Sequence, residues 1–240
     1  VKSVIESIDA KTIYDVPLLM LEEKLDKVVL KKLKIKSKIK ADLSSWKKFV
    51  NNLKNPKNEV NIGLIGKYVE LQDSYKSILE SFIHAGSVNS VKVNVHPIHS
   101  ESIYKTNVKS LMSALDGVLV APGFGERGIE GKIMSIEYAR LNDIPFLGIC
   151  LGMQMAVIEY ARNIIGLKNA NSTEMDSHTK YPVISLMEDQ VNIEKKGGTM
   201  RLGSWKCEIS KGTLTHDIYK KNVIKERHRH RYELNFNYIE

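Results

Sequence analysis

A chain of 240 residues with 42% hydrophobic and 27% charged residues has the make-up of an ordinary globular protein, long enough for one good core or for a domain with an appendage. Two cysteines, Cys150 and Cys207, exclude a disulfide framework and point to a reducing, cytoplasmic setting; no apolar run approaches the ~18 residues of a membrane span, and no signal peptide is visible. The net charge of +8 is concentrated in residues 1–58, which carry 14 Lys and 7 Asp or Glu, against 22 basic and 21 acidic residues in the remainder.

The basic segment, mainly Lys24 to Lys57, reads either as a surface for an acidic partner, nucleotide or nucleic acid, or as a solvated Lys-rich linker. Few aromatics interleave its lysines, so it offers no platform on which bases would stack, and no nucleic acid is expected. Val1 in place of Met suggests a piece of a longer polypeptide.

The spacing of Leu18, Leu21, Leu25, Val28 and Val29 predicts a helix over Tyr14 to Leu33, and a second, shorter one spans Leu43 to Leu53. Asn51, Asn52, Asn55, Pro56 and Asn58 then form a loop. A strand–helix alternation begins at Glu59. Val60 to Ile65 is a strand. Asp73 or Ser74 caps a helix with Tyr75, Ile78, Leu79, Phe82 and Ile83 on one face, ended by Gly86. Val91, Val93 and Val95 alternate as a strand, and Val108, Leu111, Met112 and Leu115 share a helix face. Gly117 to Ala121 is a buried strand, followed by a glycine loop, Pro122 to Gly128, and a helix, Gly131 to Leu141. Repeated βα units of this size predict an α/β fold, a mostly parallel central sheet flanked by helices, with a helical basic N-terminal appendage. Reactive groups then belong at the carboxyl ends of the strands, where the Pro122–Gly128 loop and Cys150 both lie. Past Thr173 the pattern breaks into short strands and loops.

Gly148-Ile149-Cys150-Leu151-Gly152 is the most informative stretch. An apolar run from Pro145 to Ile149 leads in, and a helical pattern from Met153 to Ala161 leads out. This is the layout of a nucleophile elbow with Cys in place of Ser: strand, sharp turn, helix. The glycines are needed because the turn leaves no room for a Cβ. The sulfur sits at a helix N-terminus, where the dipole favours thiolate. The plain alternative, a small buried hydrophobe at a strand end, does not account for glycines on both sides.

Several stretches, in order along residues 59–240, resemble the glutaminase domain of the CTP synthase family, a class I (triad-type) glutamine amidotransferase. They are Gly66-Lys67-Tyr68, Tyr75-Lys76-Ser77, Gly123-Phe124-Gly125, Gly148 to Gln154, Asn171 to Glu174, Gly197 to Gly203 and Glu226 to Glu233. Residues 1–58, with Ile13 to Leu18, resemble the end of that family's synthetase domain and its linker. The resemblance implies that Cys150 attacks the side-chain amide of L-glutamine and forms a γ-glutamyl thioester. Leu151 and Gly123 supply the two backbone N–H donors for the oxyanion. Ala121-Pro122-Gly123 stands where many members read Pro-Gly-Gly, and Pro122 has no N–H to give, so Gly123 is the donor. Glu174 holds the α-ammonium of glutamine, Arg231 its α-carboxylate with Tyr232 beside it, and Gln154 bonds the substrate from the helix after the elbow. Phe124, Gly152 and Met153 complete the glutamine-binding set.

The resemblance also implies that released ammonia passes to a synthetase domain that uses ATP and Mg2+ to convert UTP to CTP, with GTP as activator, in a cytoplasmic tetramer. No Gly-x-x-x-x-Gly-Lys-Ser/Thr occurs in this chain, so the synthetase site is absent and the chain alone is not expected to make CTP; it needs no cofactor of its own. His228 and His230, without a nearby Cys or carboxylate cluster, are not read as a metal site. A triad needs a His and an acid. The family's Phe-His-Pro-Glu motif is not present, so the base is expected beyond Glu240 and none is named, with His228 or His230 as the substitutes to consider. Two other functions remain open: a stand-alone γ-glutamyl cysteine hydrolase, and a non-catalytic assembly or regulatory module carrying a dead elbow.

Overall fold

The structure, a computed structural model, describes residues 3–187, 190 and 200–239. Gly197, Gly198 and Thr199 of the expected motif lie outside the described residues. The chain forms two compact units, Val1–Val60 with Lys76–Asn94, and Asn61–Tyr75 with Val95–Glu240.

In the first unit the helix expected over Tyr14 to Leu33 is two helices, α1 (Val16–Glu22) and α2 (Leu25–Lys32). Lys24 breaks them with a left-handed φ of 58°. Leu18, Leu21, Leu25 and Val28 stay partly buried across the break, whereas Val29, expected on the same side, is exposed. α3 (Ser44–Lys54) packs its aromatic side against Tyr14, in the 3-10 turn Ile13–Asp15 that precedes α1: Trp46 Nε1 donates to Tyr14 O at 2.9 Å, and the Tyr14 and Phe49 rings lie 5.3 Å apart. The Tyr14 hydroxyl bonds the Glu80 carboxylate and lies 2.9 Å from His84 Nε2. Burial, reinforced by Glu80, pushes Tyr14 up to about 12. Tyr14→Phe leaves Glu80 and His84 without this partner and is expected to cost about 2 kcal/mol, read as a lower urea midpoint in Trp46 fluorescence.

β1 (Asn58–Gly66) precedes a 3-10 turn at Gln72–Tyr75, which takes the place of the expected Asp73 or Ser74 cap, and α4 (Lys76–Asn89) follows. α4 does not stop at Gly86. A methyl on Gly86 would stand 2.5 Å from Val91 O, so this glycine lets the chain return closely into the next strand rather than ending the helix.

β2 (Val91–His99), α5 (Val108–Met112), β3 (Gly117–Val120), α6 (Ile129–Leu141), β4 (Phe146–Gly148) and α7 (Leu151–Asn163) follow. The central sheet has the order β2-β1-β3-β4. β1 and β3 run parallel with Ile62 opposite Gly117, and β3 and β4 run parallel with Val120 opposite Gly148. β3 is buried throughout, as its unbroken apolar run requires. β4 ends the sheet, and Phe146 and Leu147 are exposed there. The core of the second unit gathers Ile65, Val118 and Val120 from the strands, with Ile133 and Ile136 of α6 and Met155 and Ile158 of α7.

The remainder comprises β5 (Ala170–Ser172), β6 (Tyr181–Leu186), β7 (Arg201–Glu208), α8 (Leu214–Tyr219), β8 (Val223–His230) and β9 (Tyr232–Leu234). β5-β6-β9 form one small sheet, and β7 and β8 form an antiparallel hairpin with Arg201 opposite His230. No helix among the described residues is long and apolar enough to cross a membrane.

Candidate active site

The elbow takes its form from steric exclusion. Cys150 sits at φ 53° and ψ −108°, between the end of β4 and the first residue of α7. This is sparsely populated backbone for any residue with a side chain. A methyl on Gly148 would stand 2.5 Å from the backbone of Gly152 and Met153. A methyl on Gly152 would overlap the Val120 carbonyl, 2.9 Å from its carbon and closer still to its oxygen. The helix therefore starts flush against the end of β3, and Ile149 N donates to Val120 O at 3.1 Å.

The thiol is half-buried and lines a cavity of about 640 Å³. Its proton affinity runs against the sequence expectation. Burial pushes the Cys150 thiol above its ordinary range; the Leu151 backbone N–H pulls it down, Glu174 pushes it up, and Lys132 pulls it down. Desolvation therefore outweighs the helix N-terminus. Alkylation of Cys150 by iodoacetamide is accordingly expected to rise ~tenfold between pH 7 and pH 8 instead of levelling off below neutrality, since only thiolate reacts.

Seven of the residues singled out from the sequence share that cavity: Gly123, Phe124, Cys150, Gln154, Glu174, Arg231 and Tyr232. Leu151 and Gly152 are buried. Met153 is different: its side chain is turned to a second, apolar cavity formed with Tyr160, Val183 and Tyr238. Successive residues of a helix point ~100° apart, so Met153 leaves the face that Gln154 presents.

Glu174 follows β5, and its Oε1 accepts a hydrogen bond from Gly125 N at 2.8 Å. This leaves Gly123 and Phe124 as the two amides between Pro122 and Gly125, neither committed to Glu174. Arg231 stands between β8 and β9 and donates to Gln190 Oε1 at 2.7 Å. A carboxylate and a guanidinium thus meet the thiol in one cavity. Gln154 is buried, and its side-chain amide donates to Tyr232 O at 3.0 Å, so one of its donors ties α7 to β9. The Tyr232 hydroxyl is pushed up by burial, and further by Glu174.

The cavity also takes in Tyr68, Met200 and Arg229, to which the sequence assigned no role, and His230, which it considered only as a substitute base. His230 Nδ1 lies 3.1 Å from Tyr232 O, an acceptor only, so this nitrogen carries the hydrogen. Its Nε2 then accepts from His228 Nδ1 at 2.9 Å. Burial lowers the proton affinity of His230 and keeps it neutral. With both ring nitrogens engaged, His230 has no lone pair to take a proton from Cys150. Lys67 and Lys132, buried beneath the Pro122–Gly128 loop, were also not assigned. For Lys132 a signal was present: it falls three residues after Ile129 and four before Ile136, on the apolar face of α6. Among the described residues no group of three His, Cys, Asp or Glu is placed to hold a metal ion.

A strained cysteine on a strand–turn–helix, with charges of both signs in one cavity at the sheet edge, defines a cysteine-dependent hydrolase or amidotransferase of the α/β class. The profile of the family described as glutamine amidotransferase class-I matches residues 70–239. The chain belongs to that family. It is 64% identical over 239 residues to the CTP synthase of Flavobacterium psychrophilum and 54% identical over 245 residues to that of Methanocaldococcus jannaschii, covering 100% of this chain in both cases. It spans less than half the length of these curated relatives, 44% and 45% respectively. Among solved structures, the Trypanosoma brucei CTPS glutaminase domain with bound acivicin is similar at 38% identity and a TM-score of 0.68, over 75% of this chain and 70% of that one.

Proposed function

We propose that this protein is the glutamine-hydrolysing part of a CTP synthase. The observation that carries the proposal is Glu174 and Arg231 sharing a cavity with Cys150, because a free amino acid presents one α-ammonium and one α-carboxylate. The Cys150 thiolate attacks the side-chain amide carbon of glutamine. The tetrahedral oxyanion is received by the N–H groups of Leu151 and Gly123. The C–N bond then breaks, the nitrogen leaves as ammonia after gaining a proton, and water hydrolyses the γ-glutamyl thioester to glutamate. No base is assigned among the described residues.

In this proposal residues 59–240 are the glutaminase domain and residues 1–58 come from the end of a synthetase domain and its linker. The ammonia serves that synthetase domain, which uses Mg-ATP to make CTP from UTP under GTP activation, in a cytoplasmic tetramer. The sequence has no phosphate-binding Gly-x-x-x-x-Gly-Lys-Ser/Thr, so in this proposal Mg-ATP belongs to the synthetase domain. Support comes from the full-length coverage of this chain by CTP synthases and from the acivicin, a glutamine analogue, in the similar trypanosomal domain.

A glutamine-mimicking chloroketone is expected to label Cys150, leave the exposed Cys207 unlabelled, and be blocked by free glutamine. Absence of labelling would favour the non-catalytic module, and labelling indifferent to glutamine would overturn the substrate assignment. Glu174→Gln removes the charge facing the α-ammonium. It is expected to raise the glutamine concentration needed for protection ~10–100-fold, the scale of a lost charge-assisted hydrogen bond.

A further inference from the structure

Lys132 lies on α6 among isoleucines and is fully buried, an environment that penalises an ammonium strongly unless something nearby compensates it. Its Nζ donates to Ala121 O at 3.0 Å, at the exit of β3. A second buried lysine, Lys67 at the end of β1, donates from Nζ to Phe124 O. The two ammonium groups hold the carbonyls on either side of the Pro122–Gly123 pair, and Glu174 holds the Gly125 N–H that follows. The loop is pinned at three points, and Pro122 adds a fixed φ. What lies between the pins is the Gly123 peptide. A methyl on Gly123 would stand 3.8 Å from Lys132 Nζ, 3.7 Å from Lys67 Cε and 3.4 Å from the Leu151 side chain, so both lysines lie close against this residue.

We propose that Lys132 is a positioning residue for the acylation of Cys150: it holds the Ala121 carbonyl so that the Gly123 N–H faces the cavity, and its charge sits beneath both the thiolate and the forming oxyanion. The proposal rests on the reading of Cys150 as the nucleophile toward glutamine. Negative charge in that reaction passes from sulfur to the amide oxygen, and a cation fixed under both locations opposes neither position of the charge. No proton leaves Lys132 in the step.

The charges around it agree with this role. Lys132 is drawn down to about 8 by burial and by Lys67, while Cys150 acts in the opposite direction. Lys67 faces it from the end of β1, and Cys150 from the start of α7. Glu174, at the end of β5, acts on Cys150 against it. At neutral pH the ammonium is mostly charged, and the anion that compensates it is the one that the reaction creates.

The test uses the full chain and two variants. Lys132→Met has neither charge nor donor; Lys132→Gln keeps an N–H for Ala121 O without the charge. The pH profile of Cys150 alkylation by iodoacetamide is followed by mass spectrometry, beside inactivation by a glutamine-mimicking chloroketone and the melting temperature. Both variants are expected to slow alkylation at pH 7, where the ammonium of the parent is mostly charged, by ~tenfold because only thiolate reacts, and so to steepen the rise of the rate with pH. Lys132→Gln is expected to recover part of the chloroketone rate that Lys132→Met loses. A filler role would change the melting temperature and leave the pH profile in place, so profiles superimposable on the parent's overturn the proposal. If neither variant folds, the parent decides: carbamidomethylation of Cys150 is expected to lower the pH at which the Lys132 ε-carbon NMR signal titrates, and an unmoved titration overturns the proposal. Chloroketone labelling of the parent that glutamine does not block would defeat the glutamine reading alone, since the iodoacetamide and NMR arms do not involve glutamine.

Discussion

Cys150→Gly is expected to abolish labelling by glutamine-like electrophiles and, at the same time, to raise the melting temperature. The loss of labelling is complete because the proposed chemistry runs through one sulfur. The gain follows from the backbone. At φ 53° and ψ −108°, Cys150 occupies a region that costs a residue with a Cβ ~1–3 kcal/mol and costs glycine little. Against this stands the entropy that glycine loses on folding, ~0.5–1 kcal/mol. The balance is a stabilisation of about 1 kcal/mol, or ~2–4 °C in melting temperature for a chain of this size. Differential scanning calorimetry of the two proteins makes the comparison. A lower melting temperature for the glycine variant would mean that the elbow stores no strain.

The second large effect is expected at Gly152. Here the glycine is required by proximity and not by a positive φ. A single methyl would overlap the Val120 carbonyl, which belongs to the fully buried strand β3 and cannot give way as a side chain would. Gly152→Ala must lift the start of α7 from the sheet, taking Cys150 and Leu151 with it. The expected cost is roughly 3 kcal/mol or more, beyond the usual range for an added methyl because backbone meets backbone. Chloroketone labelling should fall with it. Gly212→Ala is the control: with φ 79° and nothing within 4 Å, only the local backbone term applies, ~1 kcal/mol. Equal urea midpoints for the two variants would defeat the steric account of the elbow.

The two variants separate the strain of the nucleophile from the fit of its support. Relief at Cys150 stabilises and silences; crowding at Gly152 destabilises and silences. Relieving strain at a reactive residue and losing its reaction together is the trade-off expected where function requires an unfavourable backbone.

What was legible in the sequence is what nearest neighbours decide. α6 and α7 were readable as helical stretches, and β3 as a strand because an unbroken apolar run fits a strand covered on both sides. Gly148, Cys150 and Gly152 announced the elbow because its geometry is satisfied within five residues. The same locality explains two misplaced boundaries: Lys24 adopts a left-handed φ that glycine more often takes, and Gly86 serves the returning chain instead of ending α4.

The tertiary structure alone decided the state of the site. Burial raises the Cys150 thiol against the helix N-terminus, Gln154 commits a donor to Tyr232 O, Met153 turns to another cavity, and Lys132 takes its place under the loop. Each of these depends on groups distant in sequence closing over one another and excluding water. The sequence by itself determined the fold and singled out the candidate nucleophile, because sterics and apolar periodicity act over a few residues. Protonation and orientation at that atom were left to the packed structure, because desolvation and Coulomb interactions follow distance in space and not distance along the chain.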